Sequence, residues 1–194
     1  NEKLDKGFNV GDIFLGRVKR LVPGLNAAFV DVGYEKDAFL HYHDLGPKMD
    51  SLQKYITEGI TGKRNSGLLQ DFKIEPDINK NGKIDQVLKP NRYLLVQIAK
   101  EPISTKGPRL TCEISIAGRF LVLVPFNDKI SVSQKIKSRD ERDRLRRLIS
   151  SIKPKNCGVI VRTVAEDKKV AELDTDLRNL VSRWEEAFEN FTST

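Results

Sequence analysis

Cysteine and histidine are scarce. Cys112 and Cys157 are too few for a disulfide framework, and no Cys-x-x-Cys unit is present to grip zinc or run thiol exchange. His41 and His43 are the only histidines. Two apart in an extended segment they share a face, but no third or fourth ligand stands nearby, so a surface pair closing a strand accounts for them more simply than a metal site. No run of about 18 apolar residues exists, which leaves no candidate for a membrane-spanning helix. The N-terminal NEKLDKGFNV lacks the apolar core of a secretory signal. A folded chain in a reducing cytoplasm, with no membrane segment, is the expectation. Paired catalytic carboxylates are missing too: Asp140 and Asp143 fall three apart on a charged helix with no strand-end partner, which argues against a complete metal-dependent nuclease.

What is present is apolar mass and positive charge. With 39% hydrophobic residues, 194 residues can bury one core or two small ones. Lys and Arg number 34 against 27 Asp and Glu, a formal net charge of +7, which favours a polyanionic partner. The first residue is Asn1 where a natural chain begins with methionine, so the sequence reads as an excised or engineered piece. Residues 1–9 are polar and read as a lead-in.

The stretch 11–45 organises the rest. Even positions Phe14, Val18 and Val22 predict the core face of a strand, with Gly16 free to bend it, while Arg17 and Lys19 fall on the other face. Pro23-Gly24 supplies a turn. The next strand puts Ala28, Val30 and Val32 inward and Phe29 outward, and in Ala38-Phe39-Leu40 the flanking residues belong to the core while Phe39 is again outward. Exposed rings beside cations can stack on bases while the cations hold phosphates. The same rings could instead pack beneath the long loop after the third strand.

Residues 46–90 show little apolar periodicity and read as a long insertion between barrel strands. Within it Asp77, Asn79, Asn81, Gly82 and Asp85 match spacings of a calcium loop, but the position for a bidentate carboxylate is Leu88, and Pro76 stands where an incoming helix would end. An Asn-Gly turn joining two extended pieces explains the same residues. The barrel resumes with Leu94, Val96 and Ile98, then Leu110, Cys112, Ile114 and Ile116, giving five strands, the number in an OB-type barrel, with Lys106 in the turn between the last two.

After Gly118 the pattern changes. Residues 119–126, RFLVLVPF, predict a strand buried on both faces, and 130–132 a short partner. Ser138 three before Glu141 is a capping box for a helix whose apolar face is Leu145, Leu148, Ile149 and Ile152. CGVIVRT at 157–163 predicts a buried strand ending in Arg162-Thr163. A last helix carries the stripe Val170, Leu173, Leu177, Leu180, Val181, Trp184, Phe188 and Phe191. The expected class is α+β: a five-stranded barrel over 10–117, its insertion at 46–90, then a small α/β domain over 118–194. A strand-end arginine can pair with a carboxylate on the last helix, or fork onto a phosphate beside a threonine hydroxyl.

The wording of 16–33, GRVKRLVPGLNAAFVDVG, with DAFL shortly after it, resembles the S1-like RNA-binding domain of bacterial endoribonucleases of the RNase E/G family. ISIAGRFLVLVPFND and GVIVRT resemble that family's 5′ sensor. The resemblance implies that Phe29, Phe39 and Lys106, with Arg17 and Lys19 nearby, bind single-stranded RNA. It implies that Arg162 and Thr163, with backbone from Gly118 and Val122, bind a 5′-terminal monophosphate. Such proteins act in rRNA processing and mRNA decay, and their catalysis belongs to a later domain with Mg2+-binding aspartates. A Cys-rich zinc motif builds their homo-oligomers. Neither feature occurs in this stretch, so no cofactor is expected for it, no nuclease activity by itself, and a homo-oligomer only for an intact parent. The alternative is a free-standing OB-fold RNA-binding protein associated with translation or ribosomes. The residues downstream of Thr194 in the parent gene would discriminate the two.

Overall fold

The structure, a computed structural model, describes residues 8–193, so most of the expected lead-in lies outside the described residues. The chain forms two compact units. The first runs to Lys63 and resumes at Glu75–Ile114; the second comprises Arg64–Ile74 and Ser115–Thr194.

The first unit is a closed barrel. Strands β1 (Ile13–Val22), β2 (Ala27–Asp31), β3 (Ala38–His41), β4 (Tyr93–Lys100) and β5 (Arg109–Thr111) have the order β1-β2-β3-β5-β4, with β4 pairing back onto β1. All pairs are antiparallel except β3 with β5. Val18, Ala28, Val30, Ala38, Leu40, Leu94, Val96, Ile98 and Leu110 are buried, as the alternation requires. β1 carries a bulge at Lys19: Val18 pairs with Val30, and Arg20, not Lys19, pairs with Phe29. An extra residue reverses the alternation beyond it, so Arg20 and Leu21 exchange the faces that an unbroken strand would give them.

The insertion is more structured than its sequence indicates. Helix α1 (Met49–Ile60) buries Met49, Leu52, Tyr55 and Ile56 and packs against β4, whose residues from Leu94 to Ile98 are all buried. A second, one-turn helix, α2 (Ile84–Val87), replaces the extended piece expected after the Asn-Gly turn. Asn26, in a left-handed conformation at φ 51°, anchors it: its Oδ1 accepts from the Ile84 amide at 2.7 Å and its Nδ2 donates to the Gly82 carbonyl at 3.1 Å. Asp77 is engaged by Lys48 at 2.8 Å and Leu88 is fully buried. Among the described residues no three His, Cys, Asp or Glu side chains gather as a metal ion would need. The strand expected from Leu110 to Ile116 is divided. β5 stops at Thr111, where the Cys112 amide and Thr111 hydroxyl both donate to the Asp44 carbonyl, and Ile116 enters the second unit's sheet.

That sheet has the order β6-β7-β9-β8, from β6 (Ile116–Ala117), β7 (Leu121–Pro125), β8 (Ile130–Val132) and β9 (Cys157–Val161). α3 (Arg139–Ile152) joins the parallel pair β8 and β9 and packs on β8, while α4 (Val170–Thr192) packs on β7. The run 119–126 is not buried on both faces. Leu121, Leu123 and Pro125 are buried, but Val122 and Val124 are only partly so, and Ile160, opposite Val122 in β9, is 42% exposed. The helices cover one face, and the apolar run reflects β propensity on the other. Ser138 caps α3 by accepting from the Glu141 amide, but the Glu141 carboxylate completes no capping box. It takes Arg144 Nε at 2.7 Å and the Asp167 amide at 2.6 Å instead. The α4 stripe is buried at Leu173, Leu177, Leu180, Trp184, Phe188 and Phe191, whereas Val181 is only partly buried and Val170, in the first turn, is exposed. Asn156 ties residues 64–74 to this unit, donating to the carbonyls of Leu69 at 2.9 Å and Phe72 at 2.7 Å. No helix among the described residues is long and apolar enough to cross a membrane.

Candidate nucleic-acid interfaces

In the barrel, the β2–β3 register sets Phe29 opposite Phe39 on the outer face. Their rings meet edge to face, with centroids 5.7 Å apart, and both are half-buried. The bulge in β1 carries the Arg20 guanidinium over the Phe29 ring, 4.6 Å from its centroid, so a cation already occupies one approach to the aromatic pair. Lys106 arrives from the β4–β5 connection. Ile103 and Lys106 exchange both backbone hydrogen bonds, and Gly107 lies so close to the Asp37 carbonyl that a Cβ would not fit. The Pro108 carbonyl then receives the Phe39 amide at 2.9 Å, which fixes the loop beside the rings.

The result is a cavity of about 720 Å³ lined by Arg20, Phe29, Phe39, Lys36, Lys100 and Lys106, among others. Arg109 reaches it too but is bonded to Asp44 at 3.0 Å. Lys36, Lys100 and Lys106 have no carboxylate partner among the described residues. Of the sequence-derived residues, Phe29, Phe39 and Lys106 come together here, while Arg17 and Lys19 do not line the cavity. Arg17 donates to Asn91 Oδ1 at 2.9 Å, and Lys19 lies 3.5 Å from Asp37. Asp37 and Glu101 also line the cavity, but cations outnumber them, so the two partly exposed rings can stack on successive bases while the cations neutralise phosphates. Sequence reading missed Arg20, Lys36 and Lys100, because the bulge and the loop approach leave no trace in periodicity.

In the second unit, Arg162 comes directly after β9 and stands before the 3₁₀ turn Thr163–Ala165. It pairs with no carboxylate of α4. Its Nη1 donates to the carbonyls of Gly118 at 2.8 Å and Arg119 at 3.2 Å, while Nε and Nη2 meet no partner among the described residues. The Gly118 loop is itself held from below. Asp176, 8% exposed, accepts the Arg119 amide on Oδ1 and the Phe120 and Leu121 amides on Oδ2, each at 2.9 Å. A Cβ at Gly118 would come within 2.7 Å of both carboxylate oxygens, so only glycine fits. Val122, partly exposed, pairs with Ala117 and Ile160. The Thr163 hydroxyl lies 2.6 Å from that of Ser133. Gly118 and Arg162 are thus in contact, and the guanidinium keeps donors for an anion. Asp176 had a sequence signal: it is a carboxylate on the buried stripe of α4, between Leu173 and Leu177, where an unpaired charge would be costly.

The cysteines take no part. Burial pushes the Cys157 thiol up to about 11 and raises Cys112 further still, so both stay protonated and unreactive near neutrality.

A family model described as the Ribonuclease E/G family matches residues 115–194. The chain is 38% identical to Ribonuclease E of Synechocystis over 91% of its own length and 22% of that protein's. It is 38% identical to Ribonuclease E of Nostoc over 95% and 23%, and 36% identical to Ribonuclease G of Escherichia coli over 93% and 33%. It therefore spans between about a fifth and a third of the length of these curated relatives.

Proposed function

We propose, from the premise that this chain is a segment of the Ribonuclease E/G family, that it is the RNA-gripping and 5′-end-reading part of an endoribonuclease. The barrel stacks single-stranded RNA on Phe29 and Phe39 while Arg20, Lys36, Lys100 and Lys106 hold phosphates. The second unit reads a 5′-terminal monophosphate with Arg162 and Thr163, beside Gly118 and Val122. The observation that carries this reading is the half-buried Phe29–Phe39 pair beneath unpaired lysines, an arrangement with no evident purpose in a barrel core. The parent enzyme acts, on this reading, in the cytoplasm in RNA processing and decay. Its Mg2+ and zinc chemistry and its homo-oligomer belong to other segments, and no step here runs through a metal.

The test compares two short oligonucleotides of one sequence, differing only in a 5′-monophosphate or 5′-hydroxyl, by fluorescence anisotropy at fixed salt. One or two charge-assisted hydrogen bonds favour the monophosphate by about tenfold or more. Equal affinities would exclude 5′-end reading by these residues.

A further inference from the structure

Thr163 sits at the proposed phosphate site with a hydroxyl that has one hydrogen and can be useful to an anion only if that hydrogen points at it. What decides its direction is Ser133, whose Oγ lies 2.6 Å from Thr163 Oγ1. Either oxygen could donate in that pair, but the surroundings of Ser133 are not symmetric. Its Oγ already accepts the Lys135 amide at 3.3 Å, which favours using its own hydrogen as a donor toward Thr163. The Thr163 hydrogen is then left free to point outward. We infer that Ser133 is a positioning residue for 5′-phosphate recognition: it orders the chain Lys135 N–H to Ser133 O–H to Thr163 O–H so that Thr163 donates to the bound phosphate.

Polarisation runs the same way along such a chain, each bond strengthening the next. The scaffold that holds Ser133 is built for precision. Its amide donates to the Val161 carbonyl at 2.9 Å, the last residue of β9 before Arg162. Arg142, from α3, donates through Nη1 to the carbonyls of Ser133 at 2.6 Å and Ile136 at 3.2 Å, and through Nη2 to that of Val132 at 3.3 Å. A guanidinium gathering three carbonyls of one short loop fixes that loop's shape, and so the position of the Ser133 oxygen, against Thr163. A partly buried arginine on a charged helix is thereby given a specific task that its sequence context, crowded with acids and bases, does not reveal.

The inference rests on the 5′-phosphate reading above, and the experiment separates the two. The preference for 5′-monophosphate over 5′-hydroxyl RNA is measured for wild type, Ser133→Ala, Ser133→Thr, Thr163→Val and the Ser133→Ala/Thr163→Val double variant. Ser133→Ala is expected to lower the preference by about threefold to tenfold, the worth of one net hydrogen bond, with affinity for the hydroxyl RNA unchanged. Ser133→Thr keeps a hydroxyl and is expected to restore most of it. In the double variant the serine change is expected to add nothing to Thr163→Val, since Ser133 acts only through Thr163. A wild type without preference removes the phosphate site and the relay with it. A wild-type preference that survives Ser133→Ala, or additive losses in the double variant, overturns the relay alone.

Discussion

Gly118→Ala tests whether the buried Asp176 carboxylate shapes the proposed phosphate site. The added methyl would sit 2.7 Å from both Asp176 oxygens, against an ordinary contact of roughly 3.4 Å or more. The loop cannot retreat without releasing amides, because Arg119, Phe120 and Leu121 all donate to that carboxylate at 2.9 Å. Hydrogen bonds to a charged group contribute about 1.5 to 3 kcal/mol each, so losing one while the other two stretch costs about 2 kcal/mol. Backbone strain does not enter, since Gly118 has an ordinary φ. The assay has a convenient reporter: Trp184, the only tryptophan, is buried in α4 of this unit against Phe126. Urea denaturation monitored by its fluorescence should show a lower midpoint at unchanged slope. Moving the Gly118 carbonyl also moves the acceptor of Arg162 Nη1, so the 5′-monophosphate preference should fall by about fivefold or more in the same protein. A variant with the wild-type midpoint and the wild-type preference would refute the claim that Asp176 and Gly118 are packed as a unit.

Arg20→Ala removes the guanidinium above Phe29 and a cation of the barrel cavity, so it should weaken RNA binding and reduce the slope of log affinity against log salt by about 1. An unchanged slope would place the arginine outside the phosphate path. Hydrogen bonds from Arg144 hold the Glu141 carboxyl below the usual carboxylate range, burial opposing and the Asp167 amide assisting. Its stabilising contribution is therefore fully present above that range and lost as pH falls through the lowered folded value. Glu141→Gln should lower the thermal midpoint at pH 7 and lose its disadvantage as the pH is taken down through the acid range; a gap that stays constant with pH would contradict this.

Much of the barrel could be read from alternation. Phe29 and Phe39 declare themselves because each interrupts a run of small and branched core residues, Ala28 to Val30 and Ala38 to Leu40, at the outward position. What periodicity cannot carry is a change of phase. The bulge at Lys19 costs one residue of register and hands the place beside Phe29 to Arg20, which unbroken alternation assigns to the core. α1 does show apolar residues at Met49, Leu52, Tyr55 and Ile56, but Glu58 and Gly59 in its last turn and the polar stretch beyond hide the stripe. The division between β5 and β6 depends on bonds from Thr111 and Cys112 to Asp44, far away in sequence. In the second unit Arg162 and Thr163 are singled out by the wording of the strand end, and the structure sets Arg162 against the Gly118 carbonyl. Of their supports only Asp176 leaves a signal, as a carboxylate on a buried helical stripe; Ser133 and Arg142 act through hydrogen bonds that ordinary polar residues can make anywhere.

On the proposed function the labour is divided, the barrel gripping the strand and the second unit reading its end. The most direct measurement titrates 5′-monophosphate and 5′-hydroxyl RNA against Phe29→Ala/Phe39→Ala and Arg162→Ala. The phenylalanine variant should lose about 1 to 3 kcal/mol per stacked base on both RNAs equally, with its circular dichroism intact because neither ring is core. Arg162→Ala should bring the monophosphate RNA down to the affinity of its hydroxyl twin and leave the twin unchanged. Unfolding of the phenylalanine variant, or a monophosphate preference that persists without Arg162, would contradict the account.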